Sequence, residues 1–287
     1  MERYLIGDLL VHMDYGGMPV QSGDHLRLFR HEGSWEGEEV FFSASFEPLA
    51  CDPSERISED NRVYEIYRRG EEEFLVYHWG NLFHGFAVWP DRFHVSYNPK
   101  MEGQPALRED WFFSIIAFHR QLLQRNAGIL HASYIDAGGY AVLFTGPSNI
   151  GKSTQAELWR KHTGARIMNG DRTLLRCRNG AWHAFGYPCS GTSGICVNRT
   201  LPLGVIVVLE KAEENTVMQL SLAQKIRYLV SAIEMYPWDQ KELDMAFSLA
   251  EQIAAQVPMV KLCCRPDAQA VEILKKYLEG NGHANCI

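Results

Sequence analysis

Gly146, Pro147, Ser148, Asn149, Ile150, Gly151, Lys152, Ser153 and Thr154 follow the spacing G-x-x-x-x-G-K-[ST]. Glycines in such a run let the backbone bend until successive N–H groups converge on an anion, and a following helix adds the positive end of its dipole. The residue types then divide the chemistry. Lys152 reaches the outer phosphates of a nucleotide, and the Ser153 hydroxyl ligates Mg²⁺. The flanks agree with this, since Tyr140 to Thr145 is strand-like and Ser153 to Lys161 is helix-like. Asn149 stands where glycine is more usual, and asparagine is the side chain that best tolerates the positive φ such a bend requires.

Phosphoryl transfer also needs a group that takes or orients the proton of the nucleophile. Asp171 is the candidate, as proton acceptor or as a second Mg²⁺ ligand, because it ends a short strand-like run about one helix after the loop. A turn aspartate is the alternative. His131 lies one hairpin before the loop and could approach the phosphates or the acceptor, although lone strand histidines are commonly packing residues. Arg172 could contact phosphate oxygens bidentately but reads first as a surface arginine, and Glu210, which imitates a second acidic metal position, reads first as a solvated strand end. Gly186 to Gly194 has the composition of a loop that approaches a ligand through its backbone, or of a plain surface connection.

The elements around these residues form two regions. From about Tyr4 to Tyr97 short aromatic and β-branched runs alternate with turn residues. Val63 to Arg68, Phe74 to Trp79, Leu82 to Val88 and Phe93 to Tyr97 read as consecutive antiparallel strands, turning at Arg69 to Glu71, Gly80 to Asn81 and Trp89 to Arg92. Asn98 to Gln104 is the linker candidate, dividing a region 1–104 from a region 105–287. Trp111, Ile115, Ile116, Phe118, Leu122 and Leu123 share a helical face that ends at Asn126 to Gly128.

Ile129 to Asp136 then alternates as a strand, and Ala137-Gly138-Gly139 turns it into the strand entering the loop. A hairpin there implies a mixed sheet, because the usual nucleotide folds reach that strand through helices. Downstream, Ala165 to Met168 is a short strand closed by Asn169-Gly170-Asp171, and Leu174 to Arg178 pairs with Ala181 to Phe185 across Asn179-Gly180. Leu203 to Leu209 is a continuous apolar run of the kind found in buried strands. Ser221 caps a helix with Leu222, Ile226, Leu229, Val230 and Ile233 on one face, a second helix spans Gln240 to Gln256, Met259 to Cys264 is a strand, and Asp267 caps a last helix.

With 287 residues, 46% hydrophobic, the chain can bury one large core or two modest ones. A formal net charge of −7 and no basic stripe argue against a nucleic-acid partner. Seven cysteines, odd in number and without C-x-x-C spacing, fit a reducing compartment. The first residues carry no signal-peptide pattern, and no apolar run reaches bilayer length, so the expectation is a cytoplasmic protein without membrane attachment.

Leu130-His131-Ala132-Ser133, the Gly-Gly hairpin, Gly146 to Thr154 and Ile167-Met168-Asn169-Gly170-Asp171-Arg172 together resemble the catalytic domain of HPr kinase/phosphorylase. The likeness covers roughly Ile129 to Leu209 and is stronger toward HPr-kinase-like proteins of peptide-modification clusters, including kinases of lasso-peptide precursors. It implies an α/β, mixed-sheet, phosphoenolpyruvate-carboxykinase-like P-loop domain. The β-rich N-terminal region before it does not look like the N-terminal domain of HPr kinase/phosphorylase, so that enzyme's regulation is not carried over, and the expectation is that this region helps select the acceptor. The likeness also implies ATP, Mg²⁺, transfer of phosphate to a serine hydroxyl of a peptide or small protein, and homo-oligomers as in the parent enzyme. Two features depart from the bifunctional enzyme. Its aspartate pair becomes Gly170-Asp171, and its later glutamate-and-arginine segment has no counterpart in Tyr187 to Val197, so its phosphorylase activity is not carried over. A nucleotide-binding protein without transfer activity and a kinase of free serine are the competing readings.

Overall fold

The computed structural model describes residues 1–17, 20–21, 23–44, 51–60, 64–77, 83–88, 93–97, 107–108 and 116–280. The chain forms two compact units, Met1–Phe118 and His119–Ile287. The linker expected at 98–104, the turns at 80–81 and 89–92, and Trp111 and Ile115 of the expected helix lie outside the described residues.

In the first unit, β1 (Glu2–Ile6) and β2 (Leu9–Asp14) form a hairpin, and β3 (Val20–Gln21) and β4 (Glu38–Ser43) follow. β2 also pairs in parallel with β4. Their inward residues, among them Tyr4, Ile6, Leu9 and Val11, are fully buried. β5 (Arg56–Asp60), β6 (Tyr64–Arg69), β7 (Glu72–Tyr77), β8 (Phe83–Val88) and β9 (Phe93–Tyr97) then form one antiparallel sheet in sequence order. The turn at Arg69 to Glu71 is present and uses Gly70 at φ 63°. A short β10 (Leu107–Arg108) pairs with β3.

The second unit begins within α1 (Phe118–Leu123). Ala117, at φ 54°, separates Ile116 from that helix, so the apolar face read from the sequence is not one unbroken helix. β11 (Ala127–Asp136) follows directly, and Asn126 turns the chain at φ 52°. The expected alternation of β11 is absent. Nine of its ten residues are buried, on both faces, and His131 is the exposed exception.

β11 pairs antiparallel with β12 (Ala141–Thr145) through the expected Gly138-Gly139 turn, which the Asp136 carboxylate caps by accepting from both glycine N–H groups at 3.2 and 2.7 Å. The loop 146–151 leads from β12 into α2 (Lys152–Thr163). After it come β13 (Arg166–Asn169), β14 (Arg172–Arg178), β15 (Ala181–Phe185), β16 (Thr200–Lys211) and β17 (Thr216–Gln219). α3 (Leu222–Ala232), α4 (Gln240–Gln256), β18 (Met259–Cys264) and α5 (Ala268–Gly280) complete the unit.

The sheet is mixed: β12 runs antiparallel to β11 but parallel to β16, and β16 runs parallel to β18. β16 pairs with β15 through its first residues and with β12 and β18 further along, so strands β11, β14, β15, β16 and β12 close a ring of ladders. Side chains alternate between two cores. Leu143, Ile206 and Val208 pack toward Leu229, Leu249 and Ile253 of α3 and α4. Val142, Phe144, Val205 and Val207 pack toward Trp159, Val271 and Leu274 of α2 and α5. A strand covered on both faces must be apolar throughout, which accounts for the unbroken run in β16.

Ser221 caps α3 in a capping box with Gln224. Leu222, assigned by periodicity to the buried face of α3, is instead exposed at 56%, because only the later turns carry the fully buried Leu229.

Candidate active site

The loop has the backbone that its glycines were expected to allow. Gly146 (φ 141°), Asn149 (φ 60°) and Gly151 (φ 114°) all take positive φ, and Asn149 is the non-glycine residue among them. Gly146 also passes close to β16, where an added Cβ would meet the Leu209 carbonyl oxygen at 3.3 Å. Gly151 is the N-cap of α2 and offers no side-chain cap, so the first N–H groups of the helix are left for a ligand or water. Ser153 and Thr154 are exposed there.

Lys152 folds back over the loop. Its Nζ donates to the carbonyls of Gly146 and Pro147, each at 3.2 Å, and the residue is 8% exposed. Burial pulls the ammonium below the usual lysine range, and the Asp171 carboxylate opposes that shift. Lys152 and Asp171 therefore lie within each other's field.

Asp171 arrives by a different route from the turn read in the sequence. β13 and β14 both run antiparallel to β11 in a common register, with Tyr134 opposite Asn169 and His131 opposite Arg172. Gly170-Asp171 is thus an interruption in a continuing line of strand, not a reversal. Asn169, fully buried, creates it. Its Oδ1 accepts from the N–H groups of Asp171 (2.9 Å) and Arg172 (3.0 Å), and its Nδ2 donates to the carbonyls of Tyr187 (2.8 Å) and Cys189 (3.2 Å).

One amide side chain thereby frees Asp171 from the ladder and ties the 187–189 segment beneath it. The Gly170 carbonyl accepts from Ser133 Oγ at 2.8 Å and from Ser153 Oγ at 3.4 Å, joining this interruption to the start of α2.

The Asp171 carboxylate is held at both oxygens. His131 Nε2 lies 2.8 Å from Oδ1, and Arg172 donates to Oδ2 at 3.1 Å. The His131 hydrogen bond and, after it, the neighbouring charges of Arg172, His131 and Lys152 outweigh burial and keep the carboxyl below its ordinary range. Arg172 is not the surface arginine of the sequence reading. Its Nε also donates to Glu234 at 2.9 Å, and burial, which would weaken its charge, is overcome by Glu234 and Asp171. Glu210 is paired with Lys261 at 2.9 Å, as a solvated strand end can be.

The glycine-rich segment is not a plain surface connection. Gly186 to Ser190 are buried, and the chain then rises against Asp171: a Cβ on Gly191 would stand 2.7–2.8 Å from the Asp171 carboxyl atoms. A Cβ on Gly170 would collide with the Ser193 side chain at 2.2 Å, so the loop occupies the space that a side chain at position 170 would fill.

The structure therefore brings together His131, Lys152, Ser153 and Asp171, all carried by elements of one unit. Sequence reasoning missed Asn169 and Glu234 as parts of the site; the N-G-D spacing was a local signal for the first, and nothing local pointed to the second. The donors fit a nucleotide accompanied by Mg²⁺. An uncapped helix start and a buried ammonium suit phosphate, and the oxygens of Ser153 and Asp171 suit a hard cation that completes its shell with phosphate and water.

No protein-family profile matches the chain, and no curated protein matches it. Among solved structures, the Hpr(Ser) kinase/phosphatase from Coxiella burnetii is similar over 54% of this chain and 99% of its own, with 15% identity and a TM-score of 0.31. A likeness that loose carries no residue-by-residue correspondence. Among the described residues no helix is long and apolar enough to cross a membrane.

Proposed function

We propose that this protein is an ATP-dependent phosphotransferase that passes the γ-phosphate to a serine hydroxyl of a peptide or small protein. One observation supports the reading above others: a carboxylate held ionised by His131 and Arg172 shares its field with the buried lysine of a glycine loop.

Each residue then has a task. Lys152 exchanges the Gly146 and Pro147 carbonyls for phosphate oxygens, and the first N–H groups of α2 hold the same anion. Ser153 and Asp171 would hold Mg²⁺, which when bound neutralises charge on the phosphates. Asp171 orients the acceptor hydroxyl. A carboxylate with a lowered pKa is a weak base, so it takes the proton late, as the oxygen–phosphorus bond forms, in keeping with a loose transition state. His131, half exposed, steadies the carboxylate and offers the proton a route to water. Gly191, having no side chain, lets the 186–194 segment lie against Asp171 without displacing its carboxyl. The narrower assignment, to kinases of peptide-modification clusters, rests on the sequence resemblance.

The experiment is to supply Mg²⁺ and γ-labelled ATP, with serine-containing peptides encoded by neighbouring genes and, separately, free serine. Label on a peptide supports the proposal. Label on free serine assigns a small-molecule kinase, and nucleotide binding without transfer assigns a regulatory binding protein.

A further inference from the structure

Asp171 stands in the interruption between β13 and β14, where the aim of its carboxylate depends on what its two oxygens touch, His131 on one side and Arg172 on the other. His131 is fixed by its own strand. An arginine side chain turns about several bonds and steadies a neighbour only if it is itself held. Glu234 does this, accepting from Arg172 Nε at 2.9 Å while NH1 of the same group serves Asp171 at 3.1 Å. Because the guanidinium is planar and rigid, contacts on two of its nitrogens set its orientation.

Glu234 has a fixed place of its own. It follows α3, and its N–H donates to the Ile129 carbonyl of β11 at 2.8 Å, next to a bridge between Ile233 and Leu130. β11 therefore carries both supports of Asp171, His131 directly and Arg172 through Glu234. Beyond Glu234 the connection to α4 is pinned by buried groups. Glu242, 2% exposed, accepts from the Tyr236 N–H at 2.7 Å, meets His119 at 3.1 Å and pairs with Arg120. The Tyr236 ring stands perpendicular to the His119 ring at 4.7 Å and lies 4.7 Å from the Arg120 guanidinium. His119 Nδ1 is 4.0 Å from Glu234 Oε1. Groups that aim a reacting side chain need this kind of support, since a displacement of about 1 Å can slow a reaction about 10²-fold.

We propose that Glu234 is a positioning residue for phosphoryl transfer, which acts through Arg172 to fix the orientation of the Asp171 carboxylate. The inference rests on the transfer role proposed for Asp171. An ion pair that served stability alone would matter equally whether or not residue 171 is a carboxylate. One that aims Asp171 matters only while that carboxylate is there to be aimed.

A double-mutant cycle on the full chain tests this, read as single-turnover transfer from γ-labelled ATP to neighbouring-gene peptides and to free serine, alongside the ATP dissociation constant. Glu234→Ala should slow transfer about tenfold to a hundredfold with ATP affinity unchanged. Glu234→Gln, which keeps the shape and an acceptor for Arg172 Nε, should lose less, and it serves as the folded variant if the alanine form unfolds. In the Asp171→Asn background either substitution should cost less than about twofold. An equal loss in both backgrounds marks a structural effect and overturns the proposal. So does transfer by both Glu234 variants at the wild-type rate, or a loss of ATP affinity that matches the loss of transfer. Absence of transfer by the wild-type protein to any of these acceptors overturns the phosphotransferase reading and this inference with it.

Discussion

His131 Nε2 lies 2.8 Å from Asp171 Oδ1, a contact between side chains 40 positions apart that the β11–β14 register brings side by side. His131 is the exposed residue of a strand buried on both faces, and Asp171 occupies the interruption that Asn169 makes in the facing line of strand. The site is therefore a product of sheet geometry, and each part of it can be tested separately.

Lys152→Ala removes the ammonium that folds over the loop. ATP affinity measured by calorimetry at fixed Mg²⁺ should fall roughly tenfold to a hundredfold, the loss expected for one charge-assisted hydrogen-bonding group. Unchanged affinity would remove Lys152 from the nucleotide site.

Gly191→Ala places a methyl group 2.7–2.8 Å from the Asp171 carboxyl, at a backbone φ of +55°. Transfer should slow by about 10²-fold through displacement of the carboxylate, with little change in ATP affinity. Gly194→Ala is the control, since Gly194 has a similar φ of +65° with no described residue within 4 Å of the added Cβ. It should cost a comparable increment of stability, about 1–2 kcal/mol, and spare the turnover.

How much of this arrangement is legible in the residues depends on the range over which each feature is decided. The hairpin through Gly138 and Gly139, the loop with its Asn149, the Asn179-Gly180 turn and the Ser221 cap are settled by neighbours within a few positions, and sequence finds them. The pairing of Arg172 with Glu234 spans 62 positions, and no local pattern encodes it. The two-sided burial of β11 likewise follows from helices that arrive later in the chain. Asn169 is intermediate. Its turn-forming character is local, but its hold on Tyr187 and Cys189 exists only after β15 has returned the chain beneath it.

Asn169→Ala should therefore be costly well beyond one lost contact. It removes four hydrogen bonds made by one fully buried amide, and urea unfolding should show a loss of about 2–4 kcal/mol. A loss below about 0.5 kcal/mol, typical of surface substitutions, would contradict the role given to this side chain.

A second buried cluster sets a pH dependence of stability. Burial alone would push the Glu242 carboxyl up, but the His119 hydrogen bond at 3.1 Å, the charges of His119 and Arg120, and the Tyr236 N–H hold it below the ordinary range. The unfolded chain then binds the proton more readily than the folded one. The stabilisation is complete above the ordinary glutamate value of about 4.3 and is lost as pH falls through the lowered folded value. Urea midpoints should drop between about pH 5 and pH 3, and Glu242→Gln, less stable at neutral pH, should show a shallower drop across that window. An equally steep drop in the variant would assign the acid sensitivity to other groups.

Asp171→Asn is the most direct test of the transfer site, read as single-turnover transfer of labelled phosphate alongside the ATP dissociation constant. Transfer at least about 10²-fold slower, with ATP affinity falling much less than transfer, is the result expected of a group that orients the acceptor's proton. Equal transfer by the variant and the wild-type protein would contradict it.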